Sequence, residues 1–347
     1  MGFPRLKLLL LFAVFTAACA GRQKPETAAS EAAPAASAVE PPSLRDLCRE
    51  GEPVEHDLLD NSRRILAETF CGATLWFDGL FGQPDVENAR EVSGRVELST
   101  VYTEADGAQP KARLRLKYEL PNLERRVNLF LGRDDRDEFV QGRQEGFAIR
   151  SSVFGVETQD RWLAGLGYSP PGRWRERLDF RAGARLSSSP EAFVQGRLRR
   201  NVFLGTRSVW RLRETVFYEN RDGFGSTSSA DFDYVLRRRA LLFHWGTVGT
   251  VSEATDGMDW RSATVLYQNL GSRTALGYEI FLRGSTGGVE VREYGARGIF
   301  RRALNREWLY GELIGGYTWP RESAGEPRKG SALFGFGLEL LFGRDPY

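Results

Sequence analysis

The feature that most constrains this chain is a two-residue hydrophobic alternation that restarts repeatedly from Val92 to the C-terminus. The stretch KARLRLKYELP, Lys111 to Pro121, is one instance. Ala112, Leu114, Leu116, Tyr118 and Leu120 alternate with Arg113, Arg115, Lys117 and Glu119. Successive side chains of a strand point to opposite faces, so this stretch is a strand with one apolar face and one fully charged face. The pattern returns as Trp162-Ala164-Leu166-Tyr168, Leu178-Phe180-Ala182-Ala184-Leu186, Trp210-Leu212 with Val216-Tyr218, and Leu276-Tyr278-Ile280-Leu282. Ala263-Val265-Tyr267 reads as another apolar face, and Ala332 to Phe342 is the last.

Strands that cross a bilayer in a closed barrel need about 9–11 residues each, which accommodates about twelve to fourteen of them here. The uncertainty in number comes from residues 133–157, which are poorly patterned. The opposite faces of many strands are charged: Arg95 and Glu97, Asp179 and Arg181, Arg197 and Arg199, Arg211 and Arg213, Asp231 and Asp233, Glu279 and Arg283. The apolar faces carry aromatics near strand ends, among them Trp162, Tyr168, Trp210, Tyr218, Trp245, Tyr267, Tyr317 and Trp319. Aromatic girdles belong at the two bilayer interfaces. The expected fold is therefore all-β: an antiparallel transmembrane β-barrel over 91–347, with Leu114 and Leu116 on lipid and the charges in the lumen. Short connections (121–124, 170–173, 236–240, 269–273, 302–307) alternate with longer ones, namely the DDRDEFVQGRQEG region, 220–229, 252–259, 284–290 and 320–331. A last strand that ends in the periplasm would put the long set outside the cell.

The N-terminal part follows other rules. MGFPRLK followed by LLLLFAVFTAACA has the basic start, apolar core and small-residue end of a secretory signal peptide over 1–20. Ala18-Cys19-Ala20 suits cleavage before Gly21, whereas Thr16-Ala17-Ala18-Cys19 resembles a lipobox and would make Cys19 a lipidation site. Either exit leaves Cys48 and Cys71, an even pair suited to a disulfide in an oxidising compartment. Residues 21–42 are rich in Ala, Pro, Glu and Ser and read as a disordered linker. Residues 43–90 hold a short helical segment: Leu58, Ile65, Leu66, Phe70, Ala73, Phe77 and Leu80 share one face behind Asp57 and Asp60, and TLWFDGLFG closes it with an aromatic cluster. No run of apolar residues is long enough for a membrane-spanning helix.

The repeated registers resemble those of Gram-negative outer-membrane β-barrel proteins. The final ALFGFGLELLF, with Gly337, Leu340 and Phe342, is similar to their C-terminal assembly signal, although GRDPY follows it. That resemblance implies the cell outer membrane, contact with its lipid, and the barrel-assembly machinery as a partner. TLWFDGLFG, the barrel and the TDGMDW loop (Thr255 to Trp260) together also resemble a family of exported barrel proteins of Gram-negative bacteria, which implies location but no activity.

The chemistry is sparse. The chain contains no Walker A motif, Cys-x-x-Cys, His-Glu-x-x-His or Gly-x-Ser-x-Gly. A net charge of +2 gives no electrostatic case for nucleic acid. No cofactor, metal or catalytic residue is expected. Asp134, Asp135, Asp137 and Glu138 read as a solvated acidic run, with cation binding as the minor reading. His56 reads as exposed. His244 should face the lumen near Asp233 and Tyr234, with Ser262 several residues away, which is a poor basis for a hydrolase. The lumenal bases Arg113, Arg115, Lys117, Arg181, Arg197, Arg211 and Arg213 are the expected selectivity residues of a narrow anion-preferring pore. The alternatives are a closed scaffold that holds a periplasmic protein through its N-terminal segment, and an outer-membrane hydrolase.

Overall fold

The computed structural model describes residues 93–342, except 105, 120–125, 135–139, 142–160, 172–177, 187–188, 238–240, 272, 307 and 322. The signal peptide, linker, helical segment, Cys19, Cys48, Cys71, His56 and most of the Asp134–Glu138 run lie outside the described residues.

Fourteen strands follow one another: β1 (Ser93–Thr103), β2 (Gly107–Glu119), β3 (Val127–Asp134), β4 (Arg161–Tyr168), β5 (Leu178–Leu186), β6 (Glu191–Leu204), β7 (Ser208–Glu219), β8 (Gly223–Arg237), β9 (Leu241–Ser252), β10 (Met258–Gly271), β11 (Thr274–Ser285), β12 (Glu293–Ala303), β13 (Leu309–Pro320) and β14 (Ser331–Phe342). Every strand pairs antiparallel with its sequence neighbours, and β1 closes on β14 from Gly94↔Phe342 to Thr103↔Leu333. Closure leaves no sheet edge, as a lipid-embedded sheet requires.

The two faces are inverted relative to a soluble sheet. Ile280 is 66% exposed on the outside, while its neighbour Glu279 is 2% exposed within. Leu98, Leu166, Val194, Val216, Leu313 and Phe334 are exposed, whereas Glu97, Arg113, Arg197, Glu312 and Glu339 are buried. Apolar outside and charged inside is the solution for a barrel whose outer solvent is lipid. The outward aromatics gather at both rims. Tyr218 and Phe224 (4.7 Å) and Tyr294 and Trp319 (5.3 Å, stacked) mark one, and Trp210 with Phe232 (5.0 Å) and Trp245 (5.9 Å) marks the other. The protein is a closed fourteen-strand β-barrel with the outward apolar face and aromatic rims of an outer-membrane barrel.

Three local readings of the sequence need correction. Tyr267 faces the lumen, not lipid, because the β10 residue Val265 stands opposite the lumenal His244 and Glu279. Ser262 and Thr264 therefore take the outer face. There the Ser262 hydroxyl donates to the Gly246 carbonyl (3.3 Å), and the neighbouring Thr247 hydroxyl donates to the Arg261 carbonyl (3.1 Å). Residues 220–229 are not a long loop. Asn220–Asp222 form a tight turn, and β8 starts at Gly223, whose φ of +74° suits the turn. Leu116 is on the outer face as expected but only 8% exposed, packed with Tyr118 and Phe342.

The lumen as candidate functional site

Strand alternation and register place all the expected lumenal bases on the inner face. On β2, Arg113 stands opposite Glu97, Arg115 opposite Arg95, and Lys117 opposite Ser93. On β5 and β6, Asp179 stands opposite Arg197, and Arg181 opposite Gln195. On β7, Arg213 faces Arg199, and Arg211 faces Asn201.

These groups form clusters along the wall. Asp179 serves three guanidinium groups: Arg181 Nε at 3.3 Å, Arg199 Nη2 at 3.6 Å and Arg197 Nη1 at 3.9 Å. Arg115 lies within electrostatic reach of Arg181. Arg211 pairs with Asp233, which also meets His244 Nδ1 at 2.7 Å. On β12 to β14, Arg301 bridges Glu312 and Glu339, and Arg95 on β1, beside Arg115, reaches the same Glu339 at 3.2 Å. Glu279 takes Arg297 at 2.9 Å, with Arg261 at 4.0 Å, and Glu293 takes Arg283 at 2.7 Å. Arg95, Arg199, Arg261, Arg283, Arg297 and Arg301 were not among the expected selectivity residues. Their places on the inner face follow from the same alternation, but their partners depend on register.

Acid and base are not equally placed in these pairs. The side-chain exposures are 27% for Arg95 and 2% for Glu339, 46% for Arg199 and 10% for Asp179, and 44% for Arg211 and 12% for Asp233. Arg161, Arg181, Arg221, Arg261, Arg283, Arg292 and Arg301 likewise outreach their carboxylates. The exceptions are Arg185, Arg197 and Arg297, whose side chains are as buried as those of their partners. The cause is length. A Glu or Asp carboxylate stays near the strand that carries it, whereas an arginine stem lets its charged head reach toward water. In the pairs of Arg95, Arg199 and Arg211 the arginine is the more exposed partner.

Two apolar packets interrupt the charged wall. Val101, Ile299, Ile314 and Leu333 form one. Phe130, Leu163, Phe193 and Phe217 form the other, and they enclose Val140 from the β3–β4 connection. Gln195 Nε2 donates to the Val140 carbonyl at 2.5 Å and holds Val140 in place. The wall approaches closely here because Gly165 and Gly183 face each other across β4 and β5. Ion pairs continue beyond the packet: Glu191 meets Arg161 (3.2 Å), Arg221 (3.1 Å) and Arg185, and Arg185 also meets Glu219 (3.1 Å).

His244 and Ser262 are on opposite faces of the sheet, so they do not form a nucleophile–base pair. No group of metal-ligating side chains large enough to hold an ion occurs among the described residues.

No family model matches the chain, and no curated protein matches it by sequence. Solved structures similar to it are outer-membrane proteins. A KdgM porin in complex with disordered oligogalacturonate is 4% identical, with 71% of this chain and 98% of that chain covered, at a TM-score of 0.35. The loop L8 deletion mutant of OmpT, an outer-membrane protein of Vibrio cholerae, is 10% identical over 72% of this chain and 98% of its own, at 0.39. Pseudomonas aeruginosa OccK11 is 13% identical over 72% and 96%, at 0.37. With likenesses this distant, the barrel assignment rests on the strand pairing of this chain itself.

Proposed function

We propose that this barrel is a narrow passage for small anionic solutes across the outer membrane. The observation that carries the reading is the unequal reach of the lumenal ion pairs, with carboxylates held at the wall and guanidinium heads toward water. A confined lining of one sign, between low-dielectric walls, concentrates counter-ions and repels co-ions. Arg115, Arg181, Arg199, Arg211 and Arg213 line the β2–β7 arc of this path and Arg261, Arg283 and Arg301 the β10–β12 arc, with Arg95 on β1 beside Arg115. Arg113 and Arg197 are more deeply buried and set the field from behind. The apolar packet around Val140 narrows the path on the β3–β7 side, which suits small solutes rather than polymers.

The test is uptake into proteoliposomes. A small anionic solute should enter faster than a neutral one of the same size, and the difference should shrink as ionic strength rises. A second reading, a filled scaffold barrel that holds a periplasmic protein, is favoured by the same packet. It requires a folded barrel that admits neither solute.

A further inference from the structure

The β6–β8 wall contains polar groups that the ion pairs leave unused. Arg197 is 6% exposed and meets Asp179 only at 3.9 Å, and its Nε has no hydrogen-bond partner among the described residues. Thr215 stands directly opposite Arg197 in the β6–β7 register, and its Oγ1 is fully buried without a hydrogen-bond partner among the described residues. Ser229, opposite Arg213 on β8, has a buried Oγ in the same condition. A buried donor without an acceptor bears the desolvation cost of that group. Arg199 and Arg213 also face each other directly, with Asp179 3.6 Å from the first and Asp231 within electrostatic reach of the second.

All of these costs are relieved by one kind of guest: an anion with several acceptor oxygens. Guanidinium forks match pairs of oxygens, and hydroxyls from two neighbouring strands supply further donors from other directions. A planar carboxylate adds little, since Asp179 already presents one to Arg181, Arg197 and Arg199. We propose that Arg197, Arg199, Thr215 and Ser229, beside Arg213, form a subsite for a small tetrahedral oxyanion of the phosphate class. Arg199 is the most exposed of these bases and meets the ion first, and Arg197 and Thr215 hold it at the wall. The proposal deepens the anion-passage reading and rests on it for the ligand's route of access.

The experiment is a calorimetric titration of the folded barrel in detergent with inorganic phosphate, against chloride at matched ionic strength. Heat-modifiable gel migration confirms folding of each sample. The wild type should show saturable binding of phosphate and none of chloride. Thr215→Val removes a hydroxyl without a hydrogen-bond partner among the described residues and keeps the shape, so it should fold and bind about tenfold more weakly. Arg197→Gln should abolish binding. No saturable phosphate binding in the wild type, or a Thr215→Val titration like that of the wild type, would overturn the subsite. Ion current without phosphate binding removes the subsite and leaves the passage. Phosphate binding without current removes the passage and leaves the subsite.

Discussion

Asp233 and His244 stand opposite each other across β8 and β9, and His244 Nδ1 lies 2.7 Å from Asp233 Oδ1. Asp231 Oδ1 lies 4.0 Å from Nε2, and Arg211 pairs with the other oxygen of Asp233. The imidazole is a strut within a charge cluster, and the serine at hand, Ser262, is on the far face of the sheet. His244→Ala should therefore lower stability by about 1 kcal/mol, the worth of one hydrogen bond, without altering hydrolysis of any ester tested. Urea unfolding from lipid vesicles measures the first. A hydrolytic activity that disappears with His244 would contradict the structural role.

Glu279 and Arg297 form a pair with both side chains fully buried, at 2.9 Å. Removing one partner takes the nearest counter-charge from a buried group, so Glu279→Gln or Arg297→Met should cost about 3–5 kcal/mol. Replacing both with apolar residues should recover most of that loss. The unfolding midpoints of the two single variants and the double variant decide it. A double variant that loses the sum of the singles would mean the two side chains do not act as a pair.

Val140 packs among Phe130, Leu163, Phe193 and Phe217, and its carbonyl is held by Gln195. Val140→Asp puts a charge in that apolar packet, where burial without a partner is prohibitive. The segment should leave the wall, and single-channel conductance should rise. An unchanged conductance would show that this segment does not narrow the path.

Gly165 has no room for a side chain. A methyl group there would meet the Ala182 carbonyl and come within 2.7 Å of Gly183 Cα and 2.5 Å of Phe130 Cζ. Backbone cannot yield as a side-chain tip does, so Gly165→Ala should destabilise by about 1–3 kcal/mol. The heat-modifiable band of the folded barrel should convert at a lower temperature than in the wild type. Equal conversion temperatures would mean that β4 and β5 can move apart.

Much of this architecture is legible in the sequence because one rule, alternation, governs both strand identity and facing. Leu276, Tyr278, Ile280 and Leu282 announce an outer face, and Glu279 an inner one. The rule fails where both faces carry small or mixed residues. On β10, Ala263, Val265 and Tyr267 look like a lipid face, and only pairing with His244 and Glu279 turns them inward. Asn220 to Ser229 looks like a loop by composition, yet cross-strand pairing from Glu219↔Gly223 onward makes it a strand. The site was partly legible. Asp179 and Arg181 share a face by spacing alone, but the triple claim on Asp179 needs the register of β5 and β6. The insertion of Val140 has no periodic signature, because a segment that packs by chance of connection carries no repeat.

The central claim is that the wetted lining is cationic, and the reversal potential of the purified barrel in a planar bilayer under a potassium chloride gradient tests it most directly. The account predicts a zero-current potential displaced toward the chloride equilibrium value, and a smaller displacement in the Arg199→Ala/Arg211→Ala variant. A potential displaced toward the potassium value, or a folded barrel that carries no current, would contradict it.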